Sequence, residues 1–307
     1  MNILSNQRLK GFIFSNLFAF TIIGLTKLCY AEHQYFDNGD TVLVSSEFII
    51  IPVLMGIISA WNWRSLKLAR GKYTLYALLN SFLAIALSFV FLGEGIICLI
   101  IVSPLIWLFI WLGTLIGRKM FEVNNDKLNV SIIALLLFVF IADSVSKHSY
   151  ENEVTDKIVI NAPPAKVWKN AVAFKKIKQK NTFWLFRIGL PSPMETTVDG
   201  YYKGAGRKCI FSNGYTFGEK ISTYQPGKDL VFDIIDQPRD PEIMNHLDLL
   251  QGEFLLKDNG NGTTTLTGNS WYKLYVFPTW YYDLWAQSIV RNVHTRVMEH
   301  IKQISEN

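Results

Sequence analysis

Cysteine is scarce in this chain: Cys29, Cys98 and Cys209 are the three in 307 residues. Cys209 stands alone in the second half, which excludes an internal disulfide framework or a paired-cysteine zinc site there. Charge is also sparse, at 18% of residues, and the net +5 belongs largely to a few short segments of the first half. That balance gives no basis for nucleic-acid binding. No phosphate-binding loop, nucleophile motif or metal-ligand spacing occurs, so neither a cofactor nor a metal is expected.

Apolar residues take the remaining space, at 50% of the chain, and they come in blocks. Gly11–Thr26, Phe48–Ala60, Tyr73–Leu92, Gly95–Gly117 and Val130–Ala142 hold almost no charge. A helix needs about 20 residues to cross the hydrocarbon of a bilayer. Tyr73–Leu92 and Gly95–Gly117 meet that length outright. The second block reaches it by including Thr41–Glu47, and the fifth by running from Leu128 to Val145. The first extends through Lys27, whose ammonium can snorkel to the headgroups. Five spans are therefore expected over residues 1–146, as an α-helical membrane bundle. Arg8 and Lys10, an apolar stretch and Ala31 also fit a secretory signal peptide, but Lys27 and the bulky Tyr30 favour an uncleaved helix.

The short loops orient the bundle. Arg8, Lys10, Arg64, Lys67, Arg70, Lys72, Arg118, Lys119 and Lys127 fall on one side, against Lys27 on the other. The positive-inside rule makes the amino terminus cytoplasmic, and five spans then deliver the remainder outside a plasma (inner) membrane. The spans carry Asn80 and a few hydroxyls but no ionisable group at mid-depth, so an anchor or packing platform is expected, rather than a transporter.

Residues 147–307 read as a water-soluble α+β domain. Val154–Asn161 is a strand stopped by Ala162-Pro163-Pro164, and helical spacing follows through Val167 and Ala171. Arg207–Phe211, Phe217–Tyr224, Leu230–Ile235, Leu249–Lys257 and Thr263–Tyr275 are strand-like runs separated by turn residues. Strands in succession without intervening helices favour an antiparallel sheet. Thr279 then caps a long helix whose Tyr282, Trp285, Ile289, Val293, Val297 and Ile301 share one face. The expected layout is a helix-grip domain, with the sheet curled around the terminal helix.

Residues 154–305 resemble the START-like SRPBCC superfamily of polyketide cyclase/dehydrase and lipid-transport proteins. The resemblance is carried by Ile158-Val159-Ile160-Asn161-Ala162-Pro163 with Val167-Trp168, by Arg207-Lys208-Cys209-Ile210-Phe211 with Gly214, and by Glu219-Lys220-Ile221. Gly262-Thr263-Thr264-Thr265-Leu266 and the terminal helix complete it. It implies a hydrophobic pocket but no fixed chemistry, because the superfamily contains binders, carriers and some cyclases. Alternation points Cys209, Phe211, Phe254, Leu256, Leu266 and Tyr272 toward the helix, where with Trp285 and Ile289 they would line an apolar cavity.

Candidates for chemistry are few. Arg207 and Glu219 read as an exposed ion pair across a hairpin, and His246 with Asp248 as solvated. His294 and His300 sit on the last helix without a nearby carboxylate or cysteine partner suited to metal ligation, and Cys209 reads as a small buried apolar residue. Two aromatic stretches, around Trp184 and Phe186 and around Trp280 and Tyr281, suit docking to lipid headgroups. The leading expectation is a membrane-embedded protein that binds a membrane lipid or other apolar small molecule, such as an isoprenoid or polyketide-like compound. Its rivals are an enzyme of polyketide cyclase type using the same cavity, which requires buried paired polar groups, and a protein-interaction module with a filled core.

Overall fold

The computed structural model describes residues 6–33, 46–93, 95–122, 134, 150–238 and 246–307. The chain splits into two compact units, Met1–His148 with Tyr275–Pro278, and Ser149–Leu274 with Thr279–Asn307.

The first unit contains α1 (Gln7–His33), α2 (Ile51–Trp63), α3 (Arg70–Leu92) and α4 (Ile96–Glu122). Four helical stretches are long and apolar enough to cross a bilayer: Gln7–Leu25, Phe48–Leu66, Arg70–Leu92 and Ile96–Phe121. They coincide with the first four apolar blocks. The fifth block, 128–145, lies outside the described residues except at position 134, so among the described residues four of the five expected blocks form helices of spanning length.

The stretch that includes α2 is the most enclosed of these, because small residues let α4 approach it closely. A Cβ on Gly56 would fall 2.2 Å from the Ile110 carbonyl oxygen, and one on Gly113 would fall 2.1 Å from that of Val53. Such small-residue seams let backbones pack where lipid offers no hydrophobic driving force between helices. Polar side chains tie α1, α2 and α3 together around the fully buried Asn80. Its Nδ2 donates to Ser15 Oγ (3.1 Å) and Ser59 Oγ (3.2 Å), and its Oδ1 accepts from Asn16 Nδ2 (2.8 Å).

The second unit is a seven-stranded antiparallel sheet curled around a long helix. Its elements are β1 (Tyr150–Ile160), α5 (Pro164–Val172), α6 (Trp184–Ile188), β2 (Pro193–Val198), β3 (Gly206–Phe211), β4 (Thr216–Gln225), β5 (Asp229–Asp236), β6 (Leu247–Asp258), β7 (Thr264–Leu274) and α7 (Thr279–Glu306). The order across the sheet is β1-β7-β6-β5-β4-β3-β2, the arrangement of a meander closed by pairing β1 with β7. The expected helix-grip layout is thus present, with one strand added. β2 escapes the sequence pattern because it is short, starts at Pro193 and lies at the sheet edge, where a missing N–H is tolerated.

Side-chain alternation decides what faces α7. Val154, Ile160, Phe217, Ile221, Phe254, Leu256 and Leu266 are all buried. Of these, Ile160, Ile221, Phe254, Leu256 and Leu266 pack with Val297, Met298 and Ile301 of α7 and with Val167 and Trp168 of α5, whose apolar stripe covers one end of the core. Gly268 has no side chain at the point where His294 and Met298 lie over β7.

Candidate functional site

A cavity of about 90 Å³ lies between the concave face of the sheet and α7. Phe211, Phe217, Phe232, Phe254, Val293 and Val297 make its wall mostly apolar, and Arg207, Cys209, Glu219, Ser270 and His294 also reach it.

The Arg207–Glu219 pair was expected to be exposed. It is buried, with side-chain exposures of 2% and 5%. Arg207 pairs with Glu219 in the β3–β4 register, and both share the inward parity of Cys209, Phe211 and Phe217. The Arg207 guanidinium hydrogen-bonds Glu219 Oε2, and its Nε donates to the Val172 carbonyl at 3.1 Å. Its carbon sits 4.2 Å from the Phe232 ring centroid, a cation–π contact. Burial pushes the Glu219 carboxyl above its ordinary range, with Arg207 opposing the rise. Burial, reinforced by Glu219, also drives the Cys209 thiol well above its ordinary value, which favours the protonated form.

His294 has a carboxylate partner that is distant in sequence, supplied from the other end of the domain. Its Nδ1 lies 2.9 Å from Asp156 Oδ2, and its Nε2 lies 2.8 Å from Ser270 Oγ. Arg291 Nη1 holds the second carboxylate oxygen at 2.9 Å. A carboxylate accepts the proton on Nδ1, which leaves Nε2 to accept from the serine hydroxyl. The three residues converge because Val154 pairs with Ser270 across β1 and β7, while α7 lays His294 over that pairing. Burial lowers the imidazole pKa, against the opposing pull of Asp156.

The remaining sequence candidates divide between wall, core and surface. Cys209, Phe211 and Phe254 line the cavity. Leu256 and Leu266 are buried in the packed core behind it. Tyr272 is fully buried and donates to Asp283 Oδ1 at 2.5 Å, and burial with that carboxylate raises its phenol. Trp285 and Ile289 are half-buried on α7, Trp285 with its ring 6.3 Å from that of Trp184. Trp184 and Trp280 are exposed, Tyr281 is half-buried, and Phe186 is buried against Phe183, so Phe186 is not on the surface it was expected to present. His300 Nε2 donates to the Lys175 carbonyl (2.8 Å), and Asp248 accepts from Gln237 (2.6 Å).

A second space of about 350 Å³ runs beside α7, lined by Lys180, Phe183, Arg296, Glu299 and His300. Ile177 and Phe186 also line it, so its wall mixes charged and apolar side chains. Among the described residues no group of three or more His, Cys, Asp or Glu is placed to hold a metal ion.

No protein-family model matches the chain, and no curated protein does. Among solved structures similar to it is norcoclaurine synthase from Thalictrum flavum in complex with dopamine and hydroxybenzaldehyde. That protein is 10% identical over 51% of this chain and 87% of its own, with a TM-score of 0.35. The Zhui aromatase/cyclase from a Streptomyces species is 10% identical over 51% of this chain and 94% of its own, at 0.36. An uncharacterized protein from Bacillus thuringiensis is 12% identical over 51% and 100%, at 0.35.

Proposed function

We propose that this is an integral membrane protein whose second unit binds an apolar ligand in the cavity between its sheet and α7. The observation that supports this most directly is the aromatic wall formed by Phe211, Phe217, Phe232 and Phe254 around space left unfilled by side chains. The volume sets the mode of binding. At about 90 Å³ the cavity is smaller than the roughly 150 Å³ that admits benzene in an engineered protein core. A lipid, isoprenoid or polyketide-like molecule would therefore insert one end, against Cys209, Phe211 and Phe254, with Leu256, Leu266 and Tyr272 as backing. Trp285 and Ile289 are proposed to lie along its path.

The source of such a ligand is the bilayer. Trp184, Ile188, Trp280 and Leu284 are exposed by 45%, 50%, 66% and 63%. With the half-buried Tyr281 and Trp285 they form an aromatic surface of the kind that settles at headgroup depth. The lysine and arginine distribution supports a cytoplasmic amino terminus, and with a fifth span at 128–145 it supports an external second unit.

Native mass spectrometry of the full chain released from nanodiscs, with lipid analysis after denaturation, tests the binding. A stoichiometric apolar passenger is expected, displaced when Phe254 is replaced by Trp to fill the cavity. A bare mass that persists after lipid incubation overturns the reading and leaves a filled-core interaction module.

A further inference from the structure

The hydrogen-bonded chain Asp156–His294–Ser270 is more than apolar ligand binding requires. It places a serine hydroxyl, an imidazole and a carboxylate in sequence, with the first two on the cavity wall. We propose that Ser270 is an acyl-accepting nucleophile, with His294 as its base and Asp156 as the group that orients the imidazole. The substrate class is an ester with a short acyl group, matched to a small, mostly apolar cavity. The inference rests on the same cavity as the binding reading and adds chemistry to it.

The roles follow from the contacts. Asp156 holds the Nδ1 proton, so Nε2 presents its lone pair to the Ser270 hydroxyl at 2.8 Å, within reach for proton transfer. Arg291 on α7 holds the Asp156 oxygen that the histidine does not use. The charged groups around His294 are therefore Asp156 of β1 and Arg291 of its own helix, while Arg207, Glu219 and Glu253 stand in the cavity wall. Burial keeps the imidazole neutral near pH 7, the form a base requires.

The reaction balances with water as the sole co-reactant. Ser270 Oγ bonds to the ester carbonyl carbon, its proton passes to His294 Nε2, and the carbonyl electron pair moves onto oxygen. That pair returns to expel the alcohol oxygen, which leaves with the proton from His294. Water then attacks the acyl-serine, giving its proton to His294. Ser270 Oγ departs with that proton, and the carboxylic acid is released. Arg207, neutralised in part by Glu219, is the guanidinium on the same wall available to offset the developing oxyanion.

The test uses the full chain in detergent micelles and methanesulfonyl fluoride, a serine reagent small enough for the cavity. Tryptic mass spectrometry is expected to find the sulfonyl group on Ser270 ahead of every other serine. The labelling rate should fall about 100-fold or more in Asp156→Asn and His294→Gln. Its pH profile should rise with one deprotonation whose midpoint lies below the ordinary histidine value of 6.5. Hydrolysis of p-nitrophenyl acetate should track the labelling and disappear in Ser270→Ala, assayed below that variant's own melting transition. A chain that only pins α7 to the sheet would leave Ser270 no more reactive than the exposed serines, with no pH step, and that result overturns the proposal. If the same folded preparation still carries an apolar passenger, the catalytic inference fails while the binding reading stands.

Discussion

At the residue scale, two buried polar groupings sit where alternation had placed only apolar side chains. In β3 the parity that turns Cys209 and Phe211 inward also turns Arg207 inward, and in β4 it does the same for Glu219 beside Phe217. Removing one partner strands the other charge in the core, a loss of about 3–5 kcal/mol. Glu219→Gln is therefore expected to lower the unfolding midpoint of the second unit sharply, whereas Arg207→Met combined with Glu219→Leu should recover most of it. Denaturant titration of the three proteins checks this. The histidines give a pH prediction. Burial lowers both His294 and His300, so the unfolded chain takes up protons first as pH drops through 6.5. Their stability contribution is fully present above that value and declines below it until the folded forms protonate. Melting temperatures should fall between pH 7 and pH 5, with a shallower fall in His294→Gln/His300→Gln. An equal slope in the variant would assign the effect elsewhere.

At the element scale, the seam between α2 and α4 and the closure of β1 on β7 hold their respective units together. The α2–α4 seam depends on atoms that are absent: a Cβ on Gly113 would meet the Val53 carbonyl oxygen at 2.1 Å. Gly113→Val is expected to force the two helices apart at about 1–3 kcal/mol or more. A lower midpoint for loss of helical circular dichroism on heating in detergent would show it, and Gly71→Val, at a site with no neighbour within 4 Å, serves as the control. Most of the second unit's elements were legible in the sequence. β1 and the runs that become β3 to β7 alternate cleanly between turn residues, and of the apolar stripe read on α7, Tyr282, Val297 and Ile301 are buried. β2 was not, since a six-residue edge strand between Pro191 and a loop has too few positions to show a period. Asp156 and Ser270 carry the same inward parity as Val154 and Tyr272, and His294 lies on the buried stripe of α7. Each was thus legible singly as facing inward, but not as one group.

At the scale of the whole molecule, a first unit with four helices long and apolar enough to cross a bilayer and a cavity-bearing second unit give one testable arrangement. Cysteine labelling by a membrane-impermeant maleimide, in intact cells of a cysteine-free variant, checks its orientation. Lys119→Cys should be protected and Lys257→Cys labelled if 128–145 spans the bilayer. Protection of both would place the second unit in the cytoplasm. The aromatic surface makes a separate prediction. Spin labels at Trp184→Cys and Trp280→Cys in nanodiscs should show oxygen accessibility of headgroup depth, and values equal to bulk water would remove the docking role.

Composition and periodicity act through local rules, so they were sufficient for the long apolar helices of the first half and for the helix-grip layout of the second. Runs of uncharged residues read as helices for a bilayer, and period-2 runs before a period-3.6 stripe read as a sheet closed on a helix. Those rules say which way a side chain faces, and they fall silent on what it meets. Asp156, Ser270 and His294 are more than a hundred positions apart at their extremes, and only the pairing of β1 with β7, with α7 laid across both, brings them within hydrogen-bond distance. The buried state of Arg207 and Glu219 and the small size of the cavity likewise depend on how far the sheet curls and how closely α7 packs into it. Those are properties of many long-range contacts at once, and no window of the sequence contains them.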